Sequence, residues 1–168
     1  TVCSFTVTVN DTQVPVLSCP ANVVVGTAAP ACTASVSAGS LALGVNENCT
    51  YTQSWSLSGA TPGSGTGQMP TTTFDLGVTT LTYTINDGTN APVSCSSTVT
   101  VNDDDAPTVN NTAGSLDQTL QCSNAAGITA ALALAPTAAD NCTAVPTLNL
   151  VSDNTVNSMT CANAYVRT

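Results

Sequence analysis

The sequence predicts an all-β protein, built from antiparallel sandwiches in tandem, stapled by disulfides, with one short helix near 124–134. Three observations carry that expectation. Apolar and hydroxyl-bearing residues alternate with period two over long stretches, the pattern of strands that cover a core on one face only. One phrase is written twice: "CSFTVTVND" from Cys3 returns as "CSSTVTVND" from Cys95 without a gap, and Pro15 returns as Pro107. Eight cysteines punctuate a chain that is 4% aromatic and 7% charged, a composition in which covalent bridges supplement a modest core.

Taken in order, residues 1–10 read as the last strand of a sandwich whose body lies upstream. Residues 14–102 read as one complete domain. Within it, "ACTASVSA" places Cys32, Ala34, Val36 and Ala38 on one face, and "YTQSWSLSG" does the same for Tyr51, Trp55 and Leu57. "LTYTIND" sets Leu81, Tyr83 and Ile85 inward, and "SCSSTVTVN" sets Cys95, Val99 and Val101 inward. The glycine-bearing stretches "SGATPGSGTG", "DLG" and "NDGTNAP" supply the turns between them. Residues 107–168 begin a further unit, in which "DNCT" at 140–143 parallels "ENCT" at 47–50. That unit lacks its own "TVTV" strand, so the chain is expected to be a window on a longer array. "SNAAGITAALALAP" (123–136) opens on a Ser/Asn cap and stops at Pro136, which suits a short helix over the open edge of the sandwich.

Charge narrows the function classes. There are ten acids, one base (Arg167), no Lys and no His, for a net charge of −9. Nucleic-acid binding and adhesion to anionic lipid both need a basic surface, and neither partner is expected; nor is direct membrane insertion, since no apolar run reaches the length of a span. Without His or Lys the usual general bases and the Schiff-base amine are missing, so no enzyme is expected. Zinc is disfavoured by the lack of His and of any C-x-x-C pair. An extracellular location follows from the cysteines, and the near absence of basic residues leaves trypsin-like proteases little to cut. The sequons at Asn10, Asn48, Asn110 and Asn141 are chance features of an Asn- and Thr-rich chain.

Four cysteines in the complete domain permit three connectivities. Parity and recurrence favour Cys49–Cys95 across the core, with Cys19–Cys32 as the second pair. Cys3 and Cys142 then look for partners outside the chain, and Cys122–Cys161 remains by elimination. At the second junction, Asp103, Asp104 and Asp105 form a run that calcium could neutralise, with Asp87 of the "NDG" turn as a further ligand; the plain alternative is a solvated linker with no cofactor.

Together "VPVLSCPANVVV", "ENCT", "FDLGVTTLTYTINDGTN" and "SCSSTVTVNDDDAP" resemble the hyalin repeat, an immunoglobulin-like module found in tandem. Glu47 stands where that family usually has Asp, Phe74-Asp75-Leu76-Gly77 stands for its F-P-x-G turn, and Ser97 replaces a usual Phe that Phe5 keeps. Residues from 107 on resemble a sister repeat found beside it in very long surface adhesins of Bacteroidota. The resemblance implies an adhesive or structural segment of a multi-repeat surface protein or filament. Its partners would be neighbouring repeats, identical subunits, or a surface receptor or glycan. The alternatives are a glycan- or ligand-binding module, for which Trp55 would have to be exposed, and a filament subunit polymerised by strand donation.

Overall fold

The computed structural model describes residues 2–121, 123–143, 146–149, 153–158 and 161–167, the last two stretches by backbone alone. The chain is mostly β and forms two compact units, Thr1–Asp104 and Asp105–Thr168. Among the described residues no helix is long and apolar enough to cross a membrane.

The first unit begins with β1 (Val16–Ser18) and β2 (Val23–Gly26), continues through β3 (Thr33–Val36) and a 3-10 turn (Ala38–Leu41) to β4 (Gly44–Asn46), and then β5 (Thr52–Gly59) and β6 (Gly63–Thr66). It ends with β7 (Thr72–Asp75), β8 (Gly77–Asn86) and β9 (Val93–Asn102). The order β2-β9-β8-β5-β6 makes a five-stranded sheet, while β1 pairs with β4 and β3 with β7. All these ladders are antiparallel except β2–β9, which is parallel and runs from Val23 opposite Val99 to Gly26 opposite Asn102.

The core draws on both sets of strands. Leu57, Leu81, Tyr83, Ile85, Val99 and Val101 of the five-stranded sheet cluster with Ala34, Val36 and Phe74 of the β3–β7 pair, and Leu41 of the 3-10 turn joins them with Leu43 and Met69 from loops. The faces of β3, β8 and β9 are the ones the alternation predicts. Tyr51 is a correction: at 42% exposed it lies just before β5, outside the ladder, so its strand parity carries no burial. Trp55 packs against the core, and its indole covers Gly65, its neighbour across the β5–β6 ladder, where a Cβ would collide with the ring.

Polar groups inside are engaged where they tie strands together. Tyr83 donates its hydroxyl to the Leu41 carbonyl at 2.8 Å and accepts from the Met69 N–H at 3.1 Å. The hydroxyl of Thr79, fully buried, accepts from the Thr61 N–H at 3.0 Å. A buried backbone group must find a partner within the protein, and these two side chains supply it where the chain leaves the ladder.

On the solvent face, hydroxyls meet across β8 and β9, with Thr82 and Ser96 at 2.9 Å and Thr84 and Ser94 at 2.8 Å. Cross-strand hydroxyl pairs of this kind stabilise a sheet modestly and account for the Thr/Ser face of the pattern. Gly59, Gly77 and Gly88 take positive φ at strand ends and turns, where a Cβ would be strained.

The second unit contains β10 (Thr108–Val109) paired with β11 (Ala138–Ala139), the helix α1 (Ala125–Leu132), and the hairpin β12 (Asp153–Ser158) with β13 (Cys161–Arg167). The helix is where the sequence predicts it, with Asn124 capping its first turn by accepting from the Gly127 N–H at 2.9 Å. None of its residues is fully buried, and Gly127, Ile128, Ala131 and Leu132 are half-buried.

Candidate functional site

Two features of the first unit stand out chemically: a disulfide that ties its first strands to its last, and an acidic cluster at one end of the sheet.

Cys19 is bridged to Cys95, with Cα atoms 6.0 Å apart and a sequence separation of 76. This replaces both expected pairings of the complete domain, Cys49–Cys95 and Cys19–Cys32. The parity argument for Cys49 presumed a strand, but Cys49 sits in a bend between β4 and β5, exposed and with a free thiol. Cys19 reaches Cys95 because the chain leaves β1 and enters the parallel alliance of β2 with β9, which aligns the two cysteines just ahead of the ladder. Between bridge and ladder the side chain of Asn22 accepts from the Thr98 N–H at 2.9 Å. Cys32 and Cys142 are also disulfide-bonded, so Cys142 does not await a partner. The Cys122–Cys161 pairing lies outside the described residues. Cys3 is free and exposed.

The acidic cluster brings Asp11, Glu47 and Cys49 together, their ligand-type atoms all within 4.8 Å of one another. Local hydrogen bonding explains the placement. One Glu47 oxygen, Oε1, accepts from the N–H groups of Asn48 and Cys49 at 2.8 and 3.0 Å, which folds the "ENCT" bend around the carboxylate. Asp140 does the same in the second unit, accepting from Cys142 and Thr143 at 2.9 and 2.7 Å. The other Glu47 oxygen, Oε2, is buried without a hydrogen-bond partner. Asp11 accepts from the Gln13 N–H at 3.1 Å, and the Gln13 carbonyl in turn accepts from the Asn90 side chain at 2.9 Å. Partial desolvation pushes the Cys49 thiol above its ordinary value, and Asp11, by charge and by hydrogen bond, pushes the same way, as do Glu47 and Asp87.

Asp87 therefore belongs to this end of the unit. Its carboxylate accepts from Asn90 Nδ2 and from the N–H groups of Thr89 and Asn90; these bonds, the Asn90 side chain first, hold its carboxyl below the usual value. The expectation that Asp87 joins Asp103, Asp104 and Asp105 in a calcium site is corrected by the sheet. Asp87 follows the Ile85–Val93 end of the β8–β9 ladder, whereas Asp103 follows the Gly77–Val101 end, about 27 Å away along the strands. The carboxylate of Asp104 lies over Gly26, where only a residue without Cβ leaves room, and Asp105 accepts from Asn141 Nδ2 at 2.9 Å. As a cation site, the Asp11–Glu47–Cys49 group offers three ligand atoms, one of them sulfur. Calcium takes six to eight oxygens, so the donor set does not fit it.

Sequence reasoning missed Asp11 and Glu47 as neighbours of Asp87. The signal available was the recurrence of an acid at the same place in both repeats, Asp11 with Asp103 and Glu47 with Asp140. Comparison with models of known protein families, with curated proteins and with solved structures returned no match.

Proposed function

We propose that the chain is a segment of a long extracellular surface protein or filament, assembled from immunoglobulin-like sandwiches of hyalin-repeat type and acting as a protease-resistant spacer in cell adhesion. The observation that carries this is the Cys19–Cys95 bridge. The junction segment with Asp11 enters the first unit at the Asp87 end of the sheet, and β9 leaves at the opposite end. Without a cross-link, pulling on the two ends would load the parallel β2–β9 seam in shear, its rungs sharing the force rather than opening one by one. The bridge spans that seam, so tension passes from Cys19 to Cys95 and bypasses the residues between them. A domain so clamped keeps its length under load, which is what a projecting tether requires.

The strand order supports the same proposal. A five-stranded sheet with a parallel contact between an early edge strand and the last strand, faced by a separate β3–β7 pair, is what a variable-type immunoglobulin-like sandwich would present. The hyalin-repeat phrases, with the departures at Glu47, Ser97 and the "FDLG" turn, support the hyalin-repeat reading. The ligand-binding alternative loses its main candidate, because Trp55 is packed under the sheet edge rather than displayed. Electron microscopy of the protein from its producing cells tests the array: beads in a row at about 35 Å per unit, the length of ten-residue strands, are expected, and isolated globules would contradict it.

A further inference from the structure

The phrase that returns in β9 also has a first copy whose surroundings are different. Residues 3–10 and 95–102 are identical except for Phe5 against Ser97. In β9 the inward positions Ser97, Val99 and Val101 are 5%, 1% and 1% exposed, and the strand is paired on both edges, parallel to β2 and antiparallel to β8. In the first copy the equivalent Phe5, Val7 and Val9 are 88%, 73% and 89% exposed, and the segment carries no ladder. Cys95 is bridged to Cys19, while the equivalent Cys3 is a free thiol.

We infer that Cys3–Asn10 is a donor strand: it closes a second sandwich of the same architecture, one with room for a phenylalanine at the Ser97 position, and is locked there by a disulfide from Cys3 to a cysteine in the place of Cys19. This rests on the array reading above and deepens it by stating what the receiving unit must look like. Period-two alternation with three apolar residues on one face is stable in water only when that face is covered, and β9 shows what covers it. The bridge forms by thiol–disulfide exchange with an oxidoreductase of the secretory compartment in its disulfide form. The two cysteine thiols give up two electrons and two protons, and the oxidant's disulfide is reduced to two thiols.

Phe5 selects the occupant. A second copy of this chain fills its own slot with β9, where Ser97 faces Leu81, itself fully buried. A phenyl ring in place of the Ser97 hydroxymethyl would be driven onto Leu81, and interiors packed to that density do not absorb a ring without strain. The receiver is therefore a different unit, with a smaller side chain opposite Phe5. Exchange of this segment between identical copies is disfavoured.

The test uses protein isolated from the producing cells, alkylated with iodoacetamide, digested without reduction and mapped by mass spectrometry. Cys3 is expected in a disulfide with a cysteine outside residues 1–168, and alkylated in the isolated 168-residue chain. Phe5→Asp or Val7→Asp, expressed in the same cells, should leave Cys3 fully alkylated, whereas Thr6→Asp on the opposite face should leave it bridged. Both apolar positions are exposed in the isolated chain, so unchanged melting of that chain shows that the variants fold. Cys3 found alkylated in the cell-derived protein overturns the inference, as does a bridge to Cys49 or to Cys19 of another copy. None of those results touches the bead spacing, so the array reading stands or falls separately.

Discussion

Cys19 and Cys95 are bridged at the same sequence offset, 76 residues, at which Val23 faces Val99 in the parallel ladder. Asn22 and Thr98 share it through their side-chain-to-backbone hydrogen bond. From Cys19 to Gly26 the first strands are thus zipped to the last in one unbroken register, by sulfur, then an amide side chain, then backbone. Pro20, which has no N–H to donate, falls between the bridge and the Asn22 contact, where a side chain takes over from the main chain.

Removing the bridge should weaken the first unit strongly. A loop of this length restricts the unfolded chain by about 4.5 kcal/mol on the chain-entropy model. Cys19→Ala with Cys95→Ala is expected to lower the stability measured by urea titration by roughly that amount. Cys49→Ala should leave the midpoint unmoved; a comparable loss there would mean that Cys49 carries a bridge.

The Tyr83 hydroxyl serves two backbone groups at once, the Leu41 carbonyl and the Met69 N–H. Tyr83→Phe keeps the ring and strands both. A loss of about 1–3 kcal/mol is expected, read from the same titrations, and an unchanged stability would show that the hydroxyl is dispensable.

Gly65 leaves space for the Trp55 ring. Gly65→Ala should push the indole outward, destabilising the unit by about 1–3 kcal/mol and shifting tryptophan emission to the red. Unaltered emission would show that the ring does not lie against this glycine.

At the acidic end, the raised Cys49 thiol should react slowly. Its ordinary value is 9.0, so at pH 8 a rise cuts an already minor thiolate fraction. In metal-free buffer, Asp11→Asn removes both the charge and the hydrogen-bonded carboxylate and should speed iodoacetamide alkylation of Cys49. Equal rates in the two proteins would separate Asp11 from the thiol. With only three donor atoms in the group, calcium chelation should leave the melting temperature where it was, and a fall would reveal a bound cation.

Alternation made the inner faces of β3, β8 and β9 legible, because a half-buried strand declares itself at neighbouring positions: Ala34 and Val36, Leu81, Tyr83 and Ile85, Val99 and Val101. The helix was legible for a similar reason, since Asn124 and Pro136 bound it locally. The disulfide was not. It depends on a parallel contact between β2 and β9 that no local pattern encodes, and parity misleads for a cysteine such as Cys49 that lies in a bend. Tyr51 fails in the same way, standing one residue outside its strand. The grouping of Asp87 with Asp11 and Glu47 required knowing which end of a nine-pair ladder each loop occupies, and that is a property of the folded sheet alone.

The clamp itself is tested most directly by stretching single molecules between their ends, oxidised and reduced. With Cys19–Cys95 intact, the 76-residue loop cannot lengthen. Reduction, which also opens the disulfides of Cys32 and Cys142, should add at least about 25 nm of contour length, from roughly 3.3–3.6 Å per freed residue. The account predicts that this increment is absent from oxidised molecules and appears after reducing agent. An oxidised first unit that releases its full contour length would contradict it.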